Sequence, residues 1–259
     1  MTFQSSSEQD LPIARENYLR VLVLQPLLDH VVIDTRDAID DALARFTSVG
    51  FAMTERGRHT LGSVNHLAVF ASDYLELLGW EPGAAMTRSE LLAYPPGLNG
   101  LVFRTENAAQ LFEVLRARGL PALEPLAFAR PVRSAGGALA EARFRTVRFE
   151  PGTFGATRVY FCEHLTPELV WQTSSPAHRN GARDIVRAVY AGGDAATLAP
   201  LLAAIFGEGC VRRSGDRVAL DAANAQVEIG TTAAPALVLR SANPGRTQDA
   251  LGVRLEFVN

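Results

Sequence analysis

The chain has 259 residues, 47% of them hydrophobic and 20% charged. That composition suits a folded chain with one large core or two smaller ones and excludes disorder as the main state. A formal net charge of −3, from 25 basic and 28 acidic residues mixed along the chain, leaves no broad electropositive face, so nucleic acid is not an expected partner. Every basic residue is arginine, which rules out Schiff-base and P-loop lysine chemistry.

Residues 1–26 are polar and partly acidic, without the basic region and apolar core of a signal peptide, and read as an N-terminal extension. Cys162 and Cys210 stand far apart and make no disulfide framework, so a reducing cytoplasm is the expected setting. The apolar run Leu198–Phe206 is far shorter than the roughly 20 residues a spanning helix needs, and no membrane role is expected.

One pattern then recurs three times: a strand, a polar cap, an amphipathic helix, a glycine stop and further short strands. In the first copy, Leu28-Asp29-His30-Val31-Val32-Ile33 reads as a buried strand, with Asp34 and Thr35 as candidate caps. Ile39, Ala42, Leu43 and Phe46 follow at helical spacing before Gly50. The second copy opens at Gly100-Leu101-Val102-Phe103, takes Thr105 as cap, and places Ala108, Leu111, Phe112 and Leu115 on a helix before Gly119. The third opens at Ile185–Tyr190, takes Asp194 as cap, and runs its helix through Leu198, Leu201, Leu202, Ile205 and Phe206 to Gly207. Two or three short strands follow each helix, which makes the repeat a βαβββ unit and not the alternation of a Rossmann sheet. The segment Leu251–Phe257 reads as the opening strand of a fourth, truncated copy. The expected fold is therefore α+β, built of repeated βαβββ modules. Its units are a two-module domain at 27–172, a linker at 173–182, and a partial second domain at 183–259. A lone terminal strand would leave an open sheet edge, so a homodimer through the last modules is a further expectation.

The chemically informative residues are ionisable groups inside apolar strands, where an unpaired charge is expensive. His30 lies in the first strand, Glu76 in Tyr74-Leu75-Glu76-Leu77-Leu78, and His164 at the end of Val159-Tyr160-Phe161-Cys162-Glu163-His164. Two imidazoles and a carboxylate suit zinc, iron, manganese or nickel, and hydrogen-bonded core side chains are the plainer reading of the same residues. His59 and Asn65 flank a turn at Gly62, where loop histidine and turn asparagine are the plain alternative to a site. Arg130, Arg143 and Arg145 form a basic cluster. It reads as a carboxylate clamp or as a solvated sheet face, with Arg143 and Arg145 opposite Phe144.

Taken together, Leu28–Ile33, Arg58-His59-Thr60-Leu61-Gly62-Ser63-Val64-Asn65-His66 and Asp73–Gly79 resemble the glyoxalase-like domain family of the vicinal-oxygen-chelate superfamily. Ala142–Arg145, Phe161–Trp171 and Ala177–Ala182 resemble the second half of that domain, so the likeness covers residues 27–185. The resemblance implies a divalent-metal-dependent lyase, isomerase or ring-cleaving dioxygenase acting on a small oxygen-rich metabolite. It implies modules paired into a curved open-barrel sheet with helices outside, and makes His30, Glu76 and His164 the metal ligands and Glu76 and His59 the catalytic residues; Asn65, Arg130 and Arg145 are the candidate substrate contacts. The opening strand of the second module carries no histidine where the family has one. A metal-free small-molecule binding protein of the bleomycin-resistance type is the alternative that this departure favours.

Overall fold

The first strand is expected to be buried although it carries Asp29 and His30, and β1 (Leu28–Arg36) is buried along all of its length except Arg36. The computed structural model describes residues 24–172 and 176–259. In its first half the strands are β2 (Gly57–Arg58), β3 (Val64–Val69), β4 (Tyr74–Gly79), β5 (Gly97–Arg104), β6 (Leu126–Arg133), β7 (Leu139–Arg148) and β8 (Arg158–His164). They form one eight-stranded sheet in the order β2-β3-β4-β1-β5-β8-β7-β6. β1 runs parallel to β4 and antiparallel to β5, and β5 runs parallel to β8. The sheet curls until its two ends meet, where the Thr60 amide donates to the Ala129 carbonyl and the Ala129 amide donates to the Thr60 hydroxyl.

Two helices lie on the convex side. α1 (Ile39–Val49) buries Ile39, Ala42, Phe46 and Val49 and stops at Gly50, whose φ of 100° is left-handed and open to glycine at little cost. Asp34 and Thr35 do not cap it. Asp34 accepts from the Arg36 amide and Thr35 donates to Leu78, while Asp40 and Asp41 meet the positive helix end. α2 (Ala108–Ala117) is capped by Asn107, two residues after the expected Thr105, through a 2.9 Å bond from the Gln110 amide.

The second half contains β9 (Ala182–Ala191), α3 (Ala195–Phe206), β10 (Val211–Ser214), β11 (Arg217–Asp221), β12 (Gln226–Gly230), β13 (Ala236–Ser241), β14 (Arg246–Ala250) and β15 (Val253–Val258). Asp194 caps α3 as expected, accepting from the amides of Ala196 and Thr197. The seven strands order as β10-β11-β12-β9-β13-β15-β14. Here the reading of Leu251–Phe257 as an opening strand is corrected. β13 pairs antiparallel with β9, as β5 does with β1, and β15 pairs parallel with β13, as β8 does with β5. β13 is thus the opening strand of the fourth copy and β15 its last, with a short turn at 242–245 where the helix would stand. First and last strands of a module share the same period-2 pattern, and only their pairing partners distinguish them. β15 is interior to the sheet, and the edge beside it is formed by β14.

The helices fill the space between the two sheets in one continuous core. Phe103 meets Phe206 at 4.8 Å between ring centroids, Phe51 meets Phe257 at 6.2 Å, and the Tyr190 hydroxyl donates to the Gly100 carbonyl at 2.8 Å. Of the expected units, residues 1–23 of the N-terminal extension and residues 173–175 of the linker lie outside the described residues, and Ala182 already begins β9. Among the described residues no helix is long and apolar enough to cross a membrane.

Asp73 joins the halves by accepting from the Ile185 amide at 3.2 Å. Burial, with the nearby charges of Asp184 and Asp29, pushes its carboxyl up to about 7. A raised carboxyl favours the fold fully below its ordinary value of 3.8 and loses that contribution as pH rises toward 7. Asp73→Asn is therefore expected to be more stable than wild type at pH 8, by a margin that vanishes near pH 4. Urea midpoints of both proteins at the two pH values measure this.

Candidate active site

Alternation along β1 sends Val31 and Ile33 to the helices and His30 and Val32 to the concave face. On the neighbouring strand Glu76 stands directly opposite Val32, and Tyr74 opposite His30. The concave face encloses a cavity of about 970 Å³, open solvent at its mouth included, lined by His30, His59, Asn65, Glu76, Arg130 and Tyr160 among others. Its walls are aromatic and aliphatic. Phe128 and Phe144 stack at 5.2 Å, and His59 meets the Phe128 ring edge-on at 5.2 Å.

At one end His30 Nε2 lies 3.7 Å from Glu76 Oε2 and 3.4 Å from the Tyr160 hydroxyl. The imidazole stacks on Tyr74 at 4.2 Å, and its Nδ1 is 2.7 Å from Asp29 Oδ2. The other oxygen of Glu76 accepts from Asn65 Nδ2 at 2.7 Å. His59 continues the chain, with Nε2 3.3 Å from Asn65 Nδ2 and Nδ1 2.9 Å from the Ser63 hydroxyl. Burial, aided by the charges of Arg130 and Arg88 and opposed by that of Glu76, pushes the His59 imidazole down to about 4. Above that pH it is a neutral ring that positions Asn65. The packing here depends on Gly57, since a Cβ at that position would come 2.2 Å from Asn65 Oδ1 and 2.9 Å from Arg130 Cδ.

Asp29 lies beneath this end, fully buried, and was not singled out in the sequence. Its Oδ1 accepts from Arg104 Nε at 2.8 Å, and its Oδ2 takes His30 and, at 2.8 Å, His164 Nε2. Burial alone would raise its carboxyl, but the two imidazoles reverse the direction and hold it well below the usual carboxylate range.

The expected residues thus divide. His30, Glu76, His59, Asn65 and Arg130 all line one cavity. His164 does not: it sits behind Asp29, packed edge-on against Tyr74 and Phe144. Arg145 is corrected as well. Phe144 and Thr146 take the cavity face of β7, so Arg145 points to the opposite side, where it lies 3.4 Å from Glu163. Among the described residues, His30, Glu76 and His164 do not converge as one metal-binding group, whereas Asp29, Cys162 and His164 do, within 4.8 Å of one another. Within that second group Asp29 accepts from Arg104 and is bonded to the two imidazoles, and burial pushes the Cys162 thiol up from its ordinary value. Sequence reasoning missed Tyr160, Arg88, Arg148 and Arg158, all of which line the cavity. Arg148 and Arg158 end and begin adjacent strands, where an arginine ordinarily reads as a solvated strand end.

A profile of the family described as "Glyoxalase-like domain" matches residues 28–206. No curated protein matches the chain. Among solved structures, a hypothetical protein from Staphylococcus aureus is similar with a TM-score of 0.70 at 13% identity, covering 89% of this chain and 99% of that one. A mutant of 4-hydroxymandelate synthase from Streptomyces coelicolor is similar with a TM-score of 0.50 at 13% identity, covering 83% of this chain and 71% of that one. At these identities the likeness is one of fold.

Asp29→Ala would strand one partly buried guanidinium and leave two buried imidazoles without their shared acceptor. The expected loss of stability is about 3–5 kcal/mol, with a smaller loss for Asp29→Asn, and urea unfolding of both variants measures it. Equal losses would show that shape and not charge holds this cluster.

Proposed function

The chain belongs to the glyoxalase-like domain family of the vicinal-oxygen-chelate superfamily, and from that premise we propose that it is an enzyme of lyase or isomerase type. It moves a proton on a small oxygen-rich metabolite bound in the concave cavity. The observation that carries this reading is the facing of His30 Nε2 and Glu76 Oε2 at 3.7 Å inside a largely apolar pocket. Because Nδ1 is turned to Asp29, Nε2 is the nitrogen presented to the cavity, next to a carboxylate oxygen of Glu76. A proton or a cation between the two satisfies both.

In the proton reading Glu76 is the base. Asn65 fixes its Oε1, which leaves Oε2 to take a proton from substrate carbon, and His59 and Ser63 hold Asn65 in place. His30, oriented by Asp29, receives or returns that proton, and the Tyr160 hydroxyl at 3.4 Å donates toward the oxygen on which charge develops.

The same spacing favours a second, metal-dependent reading. A 3.7 Å bite suits two ligands with bonds of about 2 Å to one ion, and the carboxylate behind His30 is the usual orienting partner of a ligating imidazole. Zinc, iron, manganese or nickel would be held by His30 and Glu76, which line the cavity where His164 does not, and would supply polarisation of neighbouring substrate oxygens.

Glu76→Gln is expected to lower turnover about 10²–10⁴-fold, read as deuterium incorporation from solvent across a screen of small oxygen-rich metabolites. Turnover without deuterium incorporation, or unchanged by the substitution, overturns the proton reading. Elemental analysis after loading with each of the four ions tests the metal reading: His30→Ala should abolish uptake and His164→Ala should leave it intact, and the reverse pattern removes the metal from this end of the cavity.

A further inference from the structure

Four arginines line the cavity against two glutamates, in a chain whose net charge is −3. The cavity is thus opposite in sign to the molecule around it. Arg88 is matched by Glu90 at 2.7 Å and donates to Ser63 at 3.3 Å. Arg130, Arg148 and Arg158 are not matched: among the described residues none of them has a carboxylate within ion-pair distance. Arg130 is only 4% exposed. The Nε of Arg148 and both Nε and Nη2 of Arg158 are buried without a hydrogen-bond acceptor. Burial pushes the guanidinium groups of Arg130 and Arg148 down from their ordinary value, against the weaker opposing pull of Glu76 on the first and Glu90 on the second.

These groups are held in place by the fold. Arg158 stands opposite Gly100 in the β5–β8 register, and a Cβ at Gly100 would lie 3.2 Å from Arg158 Nη2 and 2.4 Å from Val32 Cβ. The glycine that stands near the start of the second module, where no histidine is found, therefore leaves the room that this guanidinium uses. Arg148 stands opposite Tyr160 on the neighbouring strand pair, so the two guanidinium groups arise at the same end of adjacent strands. Phe128 and Phe144 line the same cavity as His30 and Glu76. A solvated sheet face does not bury unpaired guanidinium nitrogens, and a structural ion pair would show its carboxylate.

We infer that the cavity takes a small organic anion, its carboxylate or phosphate gripped by Arg148 and Arg158 and its apolar body lying against Phe128 and Phe144. The missing acceptors of the Arg148 and Arg158 guanidinium groups are the oxygens of that ligand, for which their planar forks are suited. The reacting carbon then faces His30 and Glu76, and this last clause alone rests on the proposed function.

The test is calorimetric titration of the full chain with benzoate, phenyl phosphate and the neutral benzyl alcohol. At least one anion is expected to bind, more weakly as sodium chloride is raised, and benzyl alcohol at least tenfold more weakly; the better of the two anions separates carboxylate from phosphate. Arg148→Gln and Arg158→Gln should each weaken the anion tenfold or more, and Arg158→Lys should recover part of the loss. Glu76→Gln should leave anion affinity unchanged or tighter, which separates this inference from the role of Glu76 in turnover. Failure of both anions to bind, binding of benzyl alcohol as tight as theirs, or an affinity insensitive to salt and to both glutamine substitutions overturns it.

Discussion

The arrangement of this site depends on one buried carboxylate. Asp29 is fully buried, and an isolated charge there would be untenable. Arg104 meets one of its oxygens, and the imidazoles of His30 and His164 meet the other. These partners come from β1 itself, β5 and β8, so a single side chain ties the first strand of one module to the first and last strands of the next. Arg104 is further fixed by its bond to the Ser72 carbonyl and by the Trp171 ring 4.5 Å from its guanidinium carbon. The consequence for chemistry is orientation: the Nδ1 side of His30 is committed to Asp29, so its Nε2 is presented to the cavity opposite Glu76.

From that fixed imidazole the cavity is organised by charge. Neutral or acceptor groups gather at the His30–Glu76 end, where His59 is kept uncharged by burial and Asn65 satisfies half of the Glu76 carboxylate. Guanidinium groups from β6, β7 and β8 supply the positive charge, separated in sign from the chain as a whole. Two glycines make this possible through close approach and not through unusual dihedral angles. Gly57 admits Asn65 and Arg130, and Gly100 admits Arg158.

The second sheet repeats the register without the chemistry. Glu228 stands opposite Val189 as Glu76 stands opposite Val32, and Arg187 occupies the place of His30, opposite Gln226. There the two residues close on each other at 3.4 Å, and Arg217 reaches the same carboxylate at 3.4 Å. An ion pair of that kind on a partly exposed face leaves no group free to act, which agrees with the absence of histidine from the third copy. The two halves are one fold used in two ways, with the candidate site confined to the first sheet.

Much of this was legible in the residues themselves. Strand and helix periods, the Asp194 cap and the Gly50 stop are local properties, and the apolar setting of His30 and Glu76 marked them as groups needing a partner whatever the topology. Which partner each found was not local. His164 and Arg145 carry the same types of signal as His30 and Arg130, yet the pleat and the Asp29 cluster send one behind the cavity and the other to the opposite face. Leu251–Phe257 shows the same division: its alternation identifies a strand, but whether that strand opens or closes a module is decided by pairing with β13. Arg148 and Arg158 look like ordinary strand-end arginines until the sheet curls and buries their nitrogens. The chain alone therefore determined the modules and the residues that cannot stand unpaired, because propensity, period and desolvation act on neighbours in sequence. Only the tertiary structure decided which of them share a cavity, because strand register and sheet curvature bring together residues that lie far apart along the chain.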